Sequence, residues 1–183
     1  MNFLAVSPVL LPLLTAALTA LLAPRKSLQH SLSLLGACAS LLCAAALVYL
    51  TAQGQILQVT FGVWSQPYGI GFSIDRLSAL MLLIAALIGL VSLIFLAGDA
   101  TAGSSGRFAM QIPLVHGLLA GVGGIFATAD IFNLYVWFEV MLMSALGLLS
   151  GGAKLRHMEG TLKYMSLNML ATMMLLTAVS LVY

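Results

Sequence analysis

Charge is what this sequence lacks most. Only 7% of its 183 residues are Asp, Glu, Lys or Arg, whereas average soluble domains contain about 25%. Hydrophobic residues make up 62% of the chain, and the mean hydropathy is +1.12. This composition excludes an ordinary soluble domain and indicates an integral membrane protein. The net charge of +2 is too small and too scattered for a nucleic-acid-binding surface.

The usual motifs of catalysis and cofactor binding are also missing. The sequence has no P-loop, no Gly-x-Gly-x-x-Gly, no plausible nucleophile, base and acid set, and no Cys or His cluster with metal spacing. Cys38 and Cys43 fit neither a Cys-x-x-Cys site nor a disulfide within one helix. We therefore expect no metal, no cofactor and no enzymatic site of the kind found in soluble proteins.

Long apolar stretches are what the chain does have. Crossing the hydrocarbon layer of a membrane takes about 20 apolar residues, and about six such stretches are present. We therefore predict an all-α integral membrane protein, with a single transmembrane domain over residues 1–183 and helices at about 3–22, 29–50, 77–97, 108–128, 131–149 and 160–182.

Basic residues predict the orientation of these helices. Lys and Arg near helix ends concentrate on the cytoplasmic side. With about six helices, one basic residue, Arg76, falls on the opposite side from the rest, which are Arg25, Lys26, Arg107, Lys154, Arg156 and Lys163. We expect a multi-pass protein of the cell membrane with both termini outside the cytoplasm.

The longest connector, residues 51–75, contains a partly alternating stretch and several aromatic residues. Alternation predicts a short hairpin or an extended cover, which we expect on the outer face. Trp64 and Tyr68 fit interfacial anchoring better than substrate contact.

Glu139 is an ionisable carboxylate in the middle of the apolar, aromatic run 131–149. An unpaired carboxylate in hydrocarbon costs several kcal/mol, so it takes up a proton, finds a partner on another helix, or faces water. Its neighbours on the same helix face carry no charge: Phe132, Tyr135, Leu142, Met143 and Leu146. Its partner must therefore come from outside this helix. We interpret Glu139 as a residue that takes part in ion transport.

Three polar residues of the predicted helices have similar estimated depths. Counting about 1.5 Å per residue from the cytoplasmic helix ends, Glu139 lies about 15 Å deep and His116 and Asn168 about 12 Å. Their similar depths predict that the three residues form one polar layer. In this layer His116 is either a proton relay or a hydrogen-bonded structural residue. Lys163, about 5 Å deep, is either an anchor at the headgroups or a proton-entry residue.

Asp130 and Asn133 lie near the outer end of the fifth helix. Asp130 is nine positions before Glu139, about 180° around the helix, and its position favours a helix cap. Asn133 either bonds a neighbouring helix or hydrates the outer entrance. On the fourth helix, the Gly117-x-x-x-Gly121 spacing predicts close packing with a neighbouring helix.

The run Asp130-Ile-Phe-Asn-Leu-Tyr-Val-Trp-Phe-Glu-Val-Met-Leu-Met-Ser144, followed by Gly151-Gly152 and Lys163-Tyr-Met-Ser-Leu-Asn168, resembles the antiporter-like membrane subunit family. This family includes the D-type subunits of Mrp-type multisubunit sodium/proton antiporters and the proton-pumping membrane subunits of respiratory complex I and membrane-bound hydrogenases. The amino-acid sequence of the motif is most similar to that of the D-type subunits of Mrp antiporters.

The resemblance implies a role for Glu139. In the family, the matching glutamate belongs to the proton-transfer axis and is coupled to a lysine on the seventh helix. Family members have about fourteen helices, with the fourth to eighth forming one repeat and the ninth to thirteenth its inverted copy. We therefore expect an N-terminal portion with helices 4 to 6 of an incomplete first repeat, whether a truncated product, a partial gene or one piece of a split subunit.

Three functions follow as hypotheses. The first is a subunit of a multisubunit monovalent cation (sodium)/proton antiporter, with Glu139 carrying the proton. The second is a proton-pumping membrane-arm subunit of a complex I-like oxidoreductase or a hydrogenase. The third is a structural or assembly subunit in which Glu139 is held in a permanent ion pair. The expected partners are other membrane subunits, protons, sodium and lipid.

Overall fold

The computed structural model describes residues 3–61, 69–100, 107–151 and 155–182. After a short 3-10 turn, Phe3–Ala5, the described part contains six α-helices: α1 Ser7–Leu21, α2 Lys26–Ala52, α3 Arg76–Ala100, α4 Arg107–Ala127, α5 Ile131–Ser150 and α6 Leu155–Val182. Within it, five helices are long and apolar enough to cross a membrane, and α1 is a shorter apolar helix. The predicted all-α membrane fold with six helices is confirmed.

The connector between α2 and α3 forms a β-hairpin. Strand β1, Leu57–Phe61, pairs antiparallel with β2, Ile70–Ile74, so that Leu57 lies opposite Ile74. Leu57, Val59, Phe72 and Ile74 are buried against a core cluster that includes residues of α1, α2 and α3. The predicted hairpin is confirmed for these strands, whereas Trp64 and Tyr68 lie outside the described residues.

The hairpin also contacts the turn between α4 and α5. Phe72 pairs with Thr128 in an isolated β-bridge, and the Ala129 amide donates a hydrogen bond to the Gly71 carbonyl, at 2.9 Å. Phe72 packs near Trp137 of α5, with ring centroids 6.3 Å apart. The hairpin therefore covers one end of the helix bundle and is attached to the start of α5.

Helix α4 packs against α1, α3 and α5. Helix α2 packs against α1 and α3, and α6 packs on α5. Glycines allow α4 and α5 to approach closely. A Cβ atom added to Gly121 would lie 2.6 Å from the Met141 backbone nitrogen, and one added to Gly117 would lie 2.7 Å from Ser144 Oγ. Gly124 faces the Trp137 ring in the same way. The packing role predicted for the Gly117-x-x-x-Gly121 spacing is confirmed.

These contacts also set the register between α4 and α5. The helices run antiparallel, with Gly117 opposite Ser144 and Gly121 opposite Met141. One step back along α4 therefore places His116 level with Ala145.

Candidate functional site

Glu139 lies on the face of α5 that points away from α4. The α5 residues against the α4 glycines are Trp137, Met141 and Ser144. At about 100° per residue, Glu139 is about 160° from Trp137 and Met141 and about 140° from Ser144 around the helix. Its side chain is half-buried, and α6 is the helix that packs on α5 besides α4.

No described residue forms an ion pair or a hydrogen bond with the Glu139 carboxyl group. Leu142 and Leu146, which share its helix face, are buried. The described part of the chain likewise contains no group of three or more His, Cys, Asp or Glu that could hold a metal ion. A carboxyl group in this setting can bind and release a proton, or pair with a cation brought to it.

His116 is not in the same layer as Glu139. It is level with Ala145, six residues along α5, which is about 9 Å along the helix axis. The depths estimated from the sequence, by counting residues from the cytoplasmic helix ends, assumed that these ends lie at the same level. In the observed register Ser150, the last residue of α5, is level with Gln111, so α4 extends four residues further.

Instead, His116 is bonded to α2. Its side chain is 1% exposed, and its Nε2 lies 2.9 Å from Ser33 Oγ. The hydrogen bond joins residues 83 positions apart in the sequence. Of the two roles left open for His116, this geometry fits the hydrogen-bonded structural residue.

Asn168 and Lys163 lie on α6 in different surroundings. Asn168 is half-buried, and its Nδ2 has no hydrogen-bond partner among the described residues. Lys163 is exposed. An exposed lysine near a helix end can reach the headgroups, as expected of an anchor.

Asp130 is the N-cap residue of α5. Its Oδ1 accepts a hydrogen bond from the Asn133 amide at 2.6 Å, and its Oδ2 accepts one from the Gly71 amide at 3.4 Å. The buried Asn133 side chain donates from Nδ2 to Thr128 Oγ1 at 3.0 Å. Asp130 and Asn133 therefore join the hairpin, the α4–α5 turn and the start of α5.

Sequence reasoning did not find Ser33 or Gln29 of α2, both of which are buried and bonded to other helices. A signal was present, because the two polar residues are four positions apart and share one face of a helix long and apolar enough to cross a membrane. Gly71 and Thr128 were also missed. Gly71 contributes only backbone groups to the hairpin contacts, and these leave no mark in the sequence.

Proteins of similar sequence belong to cation/proton antiporters. Over its full length, the chain is 32% identical to the D-type subunit of the Na+/H+ antiporter of Alkalihalophilus pseudofirmus, of which it covers 37%. It is 33% identical to the D-type subunit of the probable K+/H+ antiporter of Rhizobium meliloti, of which it covers 34%. No protein-family profile matches the chain.

Two solved membrane complexes contain a chain of similar fold. The Mrp complex from Dietzia sp. matches with a TM-score of 0.85 at 32% identity, and the archaeal membrane-bound sulfane sulfur reductase with a TM-score of 0.89 at 26% identity. Both matches include the whole of this chain, but they cover 35% and 37% of the respective solved chains. The chain thus spans little more than a third of the length of its relatives.

Proposed function

Because this chain belongs to the antiporter-like membrane subunit family, we propose that it is part of a membrane subunit of a multisubunit monovalent cation/proton antiporter. In this proposal, Glu139 holds and releases the transported proton. The observation that carries it is the half-buried Glu139 carboxyl group in the middle of α5, which has no partner among the described residues.

The chemistry follows from the cost of charge in a membrane. A carboxyl group surrounded by apolar groups favours its protonated form, and a nearby cation favours the ionised form. Bringing a cation to such a group and removing it again therefore drives proton release and uptake. The residues around Glu139 on α5 are uncharged, so the cation comes from another helix of the complex or from the transported ions.

Sodium is the coupling ion we propose. The relatives from Alkalihalophilus pseudofirmus and Bacillus subtilis are named for sodium, whereas the Rhizobium meliloti relative is named for potassium. Assays that compare sodium with potassium decide between them. Exchange supported equally by both ions would contradict a sodium-specific subunit.

Two residues of α6 have separate proposed roles: Asn168 serves the same pathway, and Lys163 anchors the helix. The unpartnered Nδ2 of Asn168 is free to donate a hydrogen bond to water or to an incoming group. The exposed Lys163 anchors α6 at the headgroups on the cytoplasmic side. In this orientation both termini and the hairpin are outside the cytoplasm, so a protease added outside intact cells is expected to cut a tag at the N-terminus.

The principal test is Glu139→Gln in the native complex, assayed for cation/proton exchange in inverted membrane vesicles. Gln keeps the size and, like a protonated carboxyl group, has one acceptor oxygen and a donor, but it cannot release a proton, so we expect exchange to fall at least about tenfold. Glu139→Asp should retain partial activity, because it still titrates. Glu159→Gln is the matched control, since Glu159 is exposed near the start of α6.

Unchanged exchange in a normally assembled Glu139→Gln complex would contradict the proposal. If this variant lost assembly while the surviving complexes exchanged ions normally, Glu139 would be a structural ion-pair residue instead. The similarity to the chain of an archaeal respiratory membrane complex favours a second candidate, a proton-pumping subunit of an oxidoreductase. Co-purification with iron–sulfur subunits would identify that function.

A further inference from the structure

Five buried polar side chains lie together where α1, α2 and α4 meet. Their exposed fractions range from 0% to 6%, and they are Thr15, Thr19, Gln29, Ser33 and His116. We refer to them as the α1–α2–α4 polar cluster. None of them is ionisable except His116, and a polar group buried in a helix bundle needs a hydrogen-bond partner.

Most of the hydrogen-bonding groups in the cluster are satisfied. Gln29 donates from Nε2 to the Thr19 carbonyl at 2.9 Å and to the Ala109 carbonyl at 2.7 Å, which joins α2 to both α1 and α4. Thr15 and Thr19 donate their hydroxyls to carbonyls of their own helix. The bond between Ser33 and His116 completes the network.

Two atoms of the cluster have no partner in the part of the chain that the structure describes. They are Gln29 Oε1 and His116 Nδ1. A buried polar atom without a hydrogen-bond partner loses its hydration with nothing to replace it. Gln29 and Ser33, the residue bonded to His116, lie one turn apart on the same face of α2, so the two atoms belong to neighbouring layers about 6 Å apart along the helix.

We propose that the α1–α2–α4 polar cluster is a binding site for internal water, in which a short chain of at least two water molecules links Gln29 Oε1 to His116 Nδ1 across the offset of about 6 Å between their layers. Internal waters bond to buried polar groups that the protein leaves unpaired. The Gln29 oxygen can only accept a hydrogen bond, so the bridging ligand must donate to it. The cluster contains no carboxylate to offset the charge of a cation.

Water also fits both tautomers of His116. If Ser33 donates to Nε2, the proton of the ring is on Nδ1, and the water oxygen accepts from it. If Nε2 donates to Ser33, then Nδ1 is a bare acceptor, and a water hydrogen bonds to it. A water molecule donates and accepts, so it satisfies Nδ1 in either state.

Gln29 is the member of the cluster that lies nearer the start of α2. Gln29 is three residues after Lys26, the first residue of α2 and next to the α1–α2 turn. His116 is the deeper member, one turn further into the bundle. Because His116 is about 9 Å along the axis from the level of Glu139, this water site is separate from the proposed proton site on α5.

X-ray radiolytic labelling in 18O water, read by mass spectrometry on the native complex, tests this inference without any variant. Bound water yields hydroxyl radicals on the spot, so His116 should incorporate 18O despite its burial. Phe72 is the matched control, because it is 5% exposed but lies in the apolar core cluster. Labelling of His116 no stronger than that of Phe72 would overturn the proposal.

Two variants test the bridge itself. Gln29→Met keeps the volume and removes the acceptor oxygen, so His116 labelling should fall several-fold. Ser33→Ala leaves both unpartnered atoms in place, and labelling should persist. Undiminished labelling in an assembled Gln29→Met complex would contradict a bridge to Gln29. If that variant does not assemble, loss of labelling in Ser33→Ala would contradict it instead.

Discussion

His116 and Glu139 are both polar residues in the middle of membrane-spanning helices, and the molecule treats them in opposite ways. His116 is 1% exposed and bonded to Ser33 of a neighbouring helix. Glu139 is half-buried, faces away from α4 and has no partner among the described residues. The first arrangement is held in place by a hydrogen bond within the described chain, whereas the second carries the proposed proton site, where we propose that a cation from elsewhere pairs with the carboxylate.

The two helices that pack on α5 also differ in burial. In the most apolar stretch of each helix, 33% of the residues of α4 are buried but only 11% of those of α6. Exposed apolar side chains alone mean little in a membrane, because lipid tails are as apolar as they are. The informative difference lies in the polar groups, because the Glu139 carboxyl group on α5 and the Asn168 Nδ2 on α6 have no partner among the described residues.

The largest effect on stability is expected for Gly121→Ala, in the closely packed region. The new Cβ atom would lie 2.6 Å from the Met141 backbone nitrogen, so α4 and α5 must move apart. Such overpacking costs about 1–3 kcal/mol, which should lower the Tm of the purified complex. The matched control is Gly160→Ala on α6, where no atom lies within 4 Å of the added Cβ.

Gly160→Ala should be neutral or stabilise the protein by up to about 1 kcal/mol, because alanine is the better helix former. The pair therefore measures how differently the two sides are packed. Equal losses of Tm in both variants would contradict the comparison.

A smaller effect is expected for Asp130→Ala, at the joint between the hairpin and α5. Loss of an N-cap costs about 0.5–2 kcal/mol, and the Gly71 amide also loses its bond to the carboxylate. Faster hydrogen exchange at the Asn133 and Gly71 amides should accompany the loss. Asp130→Asn keeps an acceptor oxygen and should recover most of the stability. If Asn behaved like Ala, the capping bond would not be the source of the effect.

The smallest effect is expected at Asp75, just before α3. The Ser78 amide donates to Asp75 Oδ1 at 2.7 Å, and this bond is the main cause that lowers the pKa of Asp75 below its usual 3.8. A lowered carboxyl pKa stabilises the folded protein above pH 3.8, and this stabilisation is lost as the pH falls through the folded-state value.

Asp75→Asn retains a capping oxygen and removes only the charge. The expected loss is about 0.3–1 kcal/mol at pH 7, because a negative charge favours a helix N-terminus, and solvent screening keeps it near the lower end. Chemical unfolding at pH 7 and pH 3 should show a difference between variant and wild type that shrinks at pH 3. A difference independent of pH would exclude the carboxylate charge as its cause.

Much of the fold and part of the site were predictable from local patterns. The six helices follow from apolar stretches of membrane-spanning length, and the hairpin follows from alternation between α2 and α3. Asp130 before the apolar run indicated the α5 cap. The family was recognised from the run 130–144, whereas the role of Glu139 stays a prediction.

The predicted layer of Glu139, His116 and Asn168 depended on helix register, and it is there that local reasoning failed for His116. Counting residues from helix ends gives depth only if the ends are level. The offset between α4 and α5 comes from which glycines meet which side chains, with Gly121 against Met141 and Gly124 against Trp137.

The sequence by itself determined that this protein lies in a membrane as six helices and that Glu139 is a carboxylate among apolar residues. Helices in lipid satisfy their own backbone hydrogen bonds, so their presence is a local property of each stretch. Only the tertiary structure decided that His116 is hydrogen-bonded to Ser33 and does not lie level with Glu139. That outcome depends on packing between helices distant in the sequence, and no single stretch of residues contains it.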